Sequence, residues 1–233
     1  MVPLRAVIPC LDEEDAIGSL VARLRAVLEP ERDRVIVVDN GSRDRTAEVA
    51  RNAGAEVVSE PRRGYGRACM AGARAAGDGV IVFLDGDGAD DPGDLHAVAA
   101  PVQSGLCDLA VGVRRHRERG SMTSFQQFGN RLATTLIGWM NGAHVSDLGP
   151  MRAIYVERLL ALEPKALTYG WSTEMTVKAL RAGYRYLEIP VRHRRRIGVS
   201  KVSGTLMGSL RAGARILWTA LRWSRWRPEA QAT

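Results

Sequence analysis

Four aspartates and two glycines follow directly on an apolar run in GVIVFLDGDGADDP, residues 79–92. Carboxylates this closely spaced repel one another unless something positive sits among them. Hard cations such as Mg²⁺ and Mn²⁺ take oxygen ligands, commonly one or two carboxylates completed by substrate phosphates. In extended backbone, residues i and i+2 point to the same side. Asp85 and Asp87 can therefore face one ion, while Gly86 and Gly88 leave room for a ligand. Spacing alone equally allows a plain acidic turn after a strand, since Asp-Gly is ordinary turn chemistry. A calcium loop of the D-x-[DN]-x-[DN]-G-x5-E type is excluded: its fifth position is Ala89, its sixth Asp90 and its twelfth His96.

The elements that must position this segment alternate in type. LRAVI, RVIVV, AEVVS, GVIVFL and LAVGV read as strands, and helical spacing of apolar residues follows each of the first three. Pro92 stands where a further helix can begin, before DLHAVAAPV. Such alternation predicts an α/β fold with a mainly parallel sheet covered by helices on both faces. Ligands of open α/β sheets bind beyond the carboxyl ends of the strands. Three polar clusters fall there: PCLDEED, DNGS and DGDGADD. A dinucleotide site would need G-x-G-x-x-G after the first strand, where this chain places acids; no P-loop pattern occurs either.

At 233 residues the chain suits one large domain with an extension. Cys10, Cys69 and Cys107 are odd in number and lack metal-type spacing, which predicts free thiols in a reducing cytosol. No secretory leader is read at the amino end, and no apolar run approaches the roughly 18 residues of a membrane span. The formal charge is +7, unevenly placed. From Arg185 to Arg227, ten Arg and one Lys face the single acid Glu188, a local net of +10 that leaves −3 for the rest. A basic extension on a slightly acidic body predicts an anionic partner. Nucleic acid is disfavoured, because the segment carries no zinc-finger, RNA-recognition or helix-turn-helix signature.

VIPCLDEEDAIGSLV, VIVVDNGSRDRTAEVA and GYGRACMAGARAAGDGVIVFLDGDGADDP together resemble glycosyltransferase family 2, over about residues 3 to 113. Pro9, Glu13 and Glu14 match its opening segment, with Asp12 where Asn is usual; Asn40 replaces the second Asp of its VDDGS segment. The resemblance implies a GT-A fold and transfer of a sugar from a nucleotide-diphosphate donor. It assigns Pro9, Glu13, Asp39, Gly66, Asp85, Gly86 and Asp87 to the donor site. Asp85 and Asp87 become the D-x-D that holds Mg²⁺ or Mn²⁺, Asp87 being favoured as direct ligand. Relatives often carry Gln where this chain has Ala89, which leaves a coordination position to water, Asp90 or Asp91.

SDLGPMRAI, GWSTEMTVKALRAGYRYLEIPV and RRRIGVSK narrow the resemblance to dolichyl- and polyprenyl-phosphate sugar synthases. That subgroup implies inverting transfer of a hexose, of glucose or mannose type, to a lipid monophosphate; a soluble phosphate or hydroxyl acceptor is the alternative. An ionised phosphate attacks without a general base and needs cationic positioning, for which Arg131, Arg152, Arg195, Arg196 and Lys201 are candidates. Glu174 is either an acid–base group or a first-turn residue of the helix STEMTVKAL. Trp171 reads as packing, and His116, His144 and His193 show no ligand spacing. The expected organisation is a donor half, residues 1–113, an acceptor half of the same domain, 114–202, and a basic amphipathic helix and tail, 203–233. Leu206, Leu210, Ala214, Leu217 and Leu221 share one face of that helix, with Trp218 and Trp223 at headgroup level. The helix is expected to lie on an anionic membrane at its cytosolic face. Homo-oligomerisation is left open.

Overall fold

The computed structural model describes residues 2–198 and 206–228, the side chains of 125 and 206–212 aside. Seven strands form one sheet in the order β3-β2-β1-β4-β6-β5-β7. They are β1 Leu4–Cys10, β2 Arg34–Asp39, β3 Glu56–Ser59, β4 Val80–Phe83, β5 Leu109–Arg117, β6 Arg152–Tyr155 and β7 Tyr186–His193. Pairing is parallel except where β6 runs antiparallel between β4 and β5. The mainly parallel α/β architecture expected from the alternation is thus present. The fifth strand continues to Arg117, well past the apolar LAVGV, because its outer half pairs with β7 beyond the core.

Among the described residues eight α-helices cover the sheet: α1 Glu14–Arg25, α2 Thr46–Asn52, α3 Tyr65–Ala76, α4 Leu95–Gln103, α5 Ser124–Asn141, α6 Val156–Ala161, α7 Trp171–Arg181 and α8 Leu206–Trp223. Strand side chains alternate between two cores, as the two-residue pleat requires. Ala6, Ile8, Val35, Val37, Val80 and Val82 pack under α1 and α4. Val7, Ile36, Val38, Ile81 and Phe83 pack under α3, α6 and α7. Trp171 belongs to the second core, edge-on to Phe83 at 5.0 Å between ring centroids, so its packing role holds.

A smaller third core joins α5, α7 and α8 through Ile137, Val145, Val177 and Ala220. Helix α8 therefore docks on the body by its Thr219, Ala220 and Trp223 side. Of the stripe read from the sequence, Ala214 and Leu221 are exposed and Leu217 is half-buried, while the side chains of Leu206 and Leu210 lie outside the described ones. Trp223, expected at headgroup level, instead lies over the Lys178 ammonium at 4.1 Å. Among the described residues no helix is long and apolar enough to cross a membrane.

Candidate active site

Three strand ends meet around a cavity of about 660 Å³. Pro9, Cys10, Leu11, Asp12 and Glu13 enter it from β1, Asn40 from β2, and Asp85, Gly86 and Asp87 from beyond β4. The loops after β1 and β2 lock together by hydrogen bonds through Asp44 and Thr46. Thr46 Oγ1 accepts from the Glu13 N–H at 2.8 Å, and Asp44 Oδ2 accepts from the Glu14 N–H at 3.1 Å. Orphan donors at the start of α1 are thereby satisfied from a neighbouring loop. Asp12 sits in the left-handed region at φ 53°, a conformation that Asn and Asp tolerate best. Replacing the usual Asn by Asp here keeps that tolerance.

Asn40 ties the next loop. Its Nδ2 donates to the carbonyls of Glu60 at 2.7 Å and Arg62 at 3.0 Å, while its Oδ1 accepts from the Gly64 N–H at 2.7 Å. A carboxylate could not make the first two bonds. This departure from the family pattern thus holds Arg63, Gly64 and Tyr65 at the cavity wall.

Asp85 is held between the Tyr65 hydroxyl, which donates to its Oδ1 at 3.1 Å, and Asp90, whose Oδ2 accepts from the Asp85 N–H at 3.2 Å. Burial first, then the neighbouring Asp87 and Asp90 charges, push the Asp85 carboxyl up to about 8. Burial also raises Asp87, whose Oδ1 accepts from the Ala89 N–H at 3.0 Å. Two carboxylates that resist ionising beside each other are what a divalent cation would relieve. Among the described residues no three His, Cys, Asp or Glu side chains form a ready cage. The residues fit an ion that Asp85 and Asp87 hold together with donor phosphates. Gly86 is dictated by space, since a Cβ there would lie 2.5 Å from the Cys10 sulfur.

Of the cations proposed from the sequence, Arg196 lines the cavity. Its Nη2 lies 3.0 Å from Glu13 Oε1 and its Nη1 3.3 Å from Asp87 Oδ2. Arg131 and Arg195 are exposed and do not line the cavity; Arg195 Nε donates to the Arg119 carbonyl at 2.7 Å. Arg152 is fully buried, and its guanidinium donates to the carbonyls of Gly149, Pro150 and Ser172. It shapes the wall instead of meeting a phosphate. Lys201 lies outside the described residues.

Two further readings change, those of Gly66 and Asp91, and Glu174 resolves to one of its two alternatives. Glu174 is wholly buried on α7, accepting from the N–H groups of Lys165 and Ala166 and pairing with Lys178 Nζ at 2.7 Å. Off the cavity and so engaged, it takes the structural alternative. Asp39 Oδ1 accepts from the Ser42 N–H at 3.0 Å, which leaves its Oδ2 for a donor, and Asn40 beside it lines the cavity. Gly66 allows α3 to approach the Ala166 carbonyl, 2.1 Å from where a Cβ would sit, and lies outside the lining. Asp91 is taken up by Arg23 at 2.7 Å and Arg194 at 2.8 Å, which removes it as a metal ligand.

The sequence reading missed Tyr65 and Arg114. Arg114 follows LAVGV directly, so the strand-end rule applied to β5 would have found it. It lines the cavity and is held bidentately by Asp147, at 2.9 Å through Nε and 2.6 Å through Nη2. The lining also includes the apolar Leu148 and Pro150, just before β6, and Ile216 of α8.

Residues 6–157 match the model of Glycosyl transferase family 2. The chain belongs to this family. Its fold is GT-A, and family 2 members of this kind are nucleotide-sugar glycosyltransferases. An uncharacterized glycosyltransferase of Mycobacterium tuberculosis is 38% identical over 209 residues, covering 88% of this chain and 91% of that one. A dolichyl-phosphate hexose transferase of Haloferax volcanii is 32% identical over 200 residues, covering 85% and 86%. Among solved structures, glucosyl-3-phosphoglycerate synthase from M. tuberculosis, in complex with Mn²⁺, UDP and phosphoglyceric acid, superposes with a TM-score of 0.77. It is 23% identical and covers 98% of this chain and 80% of that one.

Proposed function

We propose that this glycosyltransferase moves a hexose from a nucleotide diphosphate to a polyprenyl-type phosphate, with inversion and with a divalent cation. The observation that carries the reading is the mixed lining of the cavity. Acids and arginines at the strand ends share it with the apolar Leu148, Pro150 and Ile216 and with the partly exposed Tyr169. A nucleotide diphosphate with its cation suits the acids and arginines, and the leading isoprene units of a lipid phosphate suit the apolar residues. The dolichyl-phosphate hexose transferase relative supports the lipid acceptor. The structural likeness to a phosphoglycerate-dependent synthase keeps a soluble phosphate acceptor as the competing reading.

Asp85 and Asp87 would hold the cation, which when bound supplies Lewis-acid neutralisation of the departing diphosphate. The remaining work falls to side chains of this chain. Asn40 fixes the loop that carries Arg63, Gly64 and Tyr65 against the donor. Arg114, preset by Asp147, and Arg196 offer charge-assisted donors to phosphate oxygens. An acceptor phosphate oxygen forms the new bond to the anomeric carbon as the bond to the donor diphosphate breaks, and nucleoside diphosphate departs. A phosphate is already ionised at neutral pH, so no general base is required. The test is a panel of radiolabelled nucleotide sugars offered with polyprenyl phosphate or with 3-phosphoglycerate. Label passing into organic extract supports the reading; label confined to water-soluble phosphoglycerate product overturns it.

A further inference from the structure

Helix α5 leaves an unusual side in water. Phe128 is 66% exposed, Leu132 45% and Trp139 82%. At 100° per residue these three fall within about 40° of one another around the helix, along roughly 16 Å of its length. The opposite side of α5 is committed to the third core through Ile137. Helix α8, which packs against α5, repeats the pattern with Trp218 at 50% and Leu221 at 56%. Arg222 lies 4.9 Å and Arg215 6.0 Å from the Trp218 ring centre.

Charge along these two helices has one sign. No Asp or Glu occurs between Glu118 and Asp147, nor between Glu188 and Glu229. Arg131 on α5 and Arg215 and Arg222 on α8 are exposed. Exposed aromatics on helices whose only charges are positive match the interface of an anionic bilayer, where indole rings sit at headgroup level and Arg meets lipid phosphates. A second copy of the chain fits less well, because it would set Arg against Arg across the contact.

We propose that the outward sides of α5 and α8 together form a docking surface for an anionic phospholipid membrane, with Phe128, Trp139 and Trp218 as its anchors. This deepens the lipid-acceptor reading and rests on it for its purpose, though its test does not. The full chain and the variant Phe128→Ser/Trp139→Ser are sedimented with vesicles of phosphatidylcholine alone and of phosphatidylcholine with an equal part of phosphatidylglycerol. Expected is binding of the full chain to the anionic vesicles, released by high salt, and a fall in partition of about tenfold per lost aromatic in the variant. A second variant, Trp218→Ser/Leu221→Ser, tests α8 in the same way. Thermal unfolding of both should match the parent, since the altered side chains are exposed. Turnover on a short, water-soluble prenyl phosphate should also be kept. Unchanged vesicle binding in both variants overturns the proposal. So does a parent that sediments as a dimer and a variant that becomes monomeric, which would make the face a contact between copies. Vesicle binding as expected, with no turnover on any prenyl phosphate, sinks the acceptor reading and leaves the membrane face standing.

Discussion

Replacing Glu174 by Gln separates a structural acid from a catalytic one. The carboxylate is fully buried and engages three donors: the Lys165 and Ala166 amides and the Lys178 ammonium, 2.7 Å away. Gln keeps one accepting oxygen and turns an NH₂ group toward a donor, so one buried backbone N–H is left unpaired, costing about 1–3 kcal/mol. Removing one partner of a buried ion pair costs about 3–5 kcal/mol in total. Lys178 keeps the carbonyls of Leu162 at 3.1 Å and Glu163 at 2.7 Å and the Trp223 ring, which places the expected loss near the lower bound. For a domain of this size each kcal/mol moves Tm by about 2–4 °C, so a drop of roughly 6–12 °C is expected. Adding Lys178→Met should return part of it, because the stranded charge is then gone. Circular dichroism melts and turnover per folded molecule, measured well below the variant's Tm, decide the matter. A turnover loss of about a hundredfold or more with an unchanged Tm would refute the reasoning and restore Glu174 as a general base.

Asp87→Asn should cut divalent-dependent turnover by about a hundredfold or more, on the order of 3 kcal/mol, while its melt without added metal stays level or rises as like-charge repulsion eases. Full turnover in that variant, or in the parent with excess chelator, would remove the metal from the reading. Arg196→Ala should tighten nucleotide-free Mn²⁺ binding, read by electron paramagnetic resonance, by up to about 1 kcal/mol, because the guanidinium competes for Glu13 and Asp87. Asn40→Asp should destabilise the protein by about 2–4 kcal/mol in urea unfolding, since it faces the Glu60 and Arg62 carbonyls with an acceptor. The Asp108 carboxyl, hydrogen-bonded by Arg185, is lowered to about 2. Its folded value lies below the unfolded one, so its stabilisation is present above about pH 4 and is lost as pH falls toward 2. The stability gap between parent and Asp108→Asn should close over that window.

Residue pattern revealed the strand-end clusters well, for a physical reason. Strand ends in a parallel sheet converge, so PCLDEED, DNGS and DGDGADD were bound to meet, and they do around one cavity. Spacing carries less information where a charge is satisfied by distant backbone. Arg152 looks like any other Arg in SDLGPMRAI, yet its partners are carbonyls of residues 149, 150 and 172. Glu174 was ambiguous for the same cause: the 165–166 amides that occupy it lie in a loop without a recognisable pattern. Asn40 was legible as a substitution but not as a brace, since its three bonds are made to residues 60–64. The apolar spacing of α8 gave the helix and the outward Ala214 and Leu221, while Thr219 and Ala220, small and inconspicuous in the chain, make the inward contact.

That contact gives α8 three duties at once: Ile216 reaches the cavity, Thr219 and Ala220 seal the third core, and Trp218 and Leu221 look outward. Its positions should therefore drift at different rates among descendants of this sequence. Positions 219 and 220 tolerate little beyond small residues, because Gly170 leaves Thr219 no slack: a Cβ there would come within 2.5 Å of the Thr219 hydroxyl. On the function and membrane face proposed above, position 216 is free to change only with the acceptor, and positions 214, 218 and 221 with the lipids of the host. Deleting the helix to probe attachment would strip the cavity and the core in the same stroke, so its ancestry is better read one side at a time.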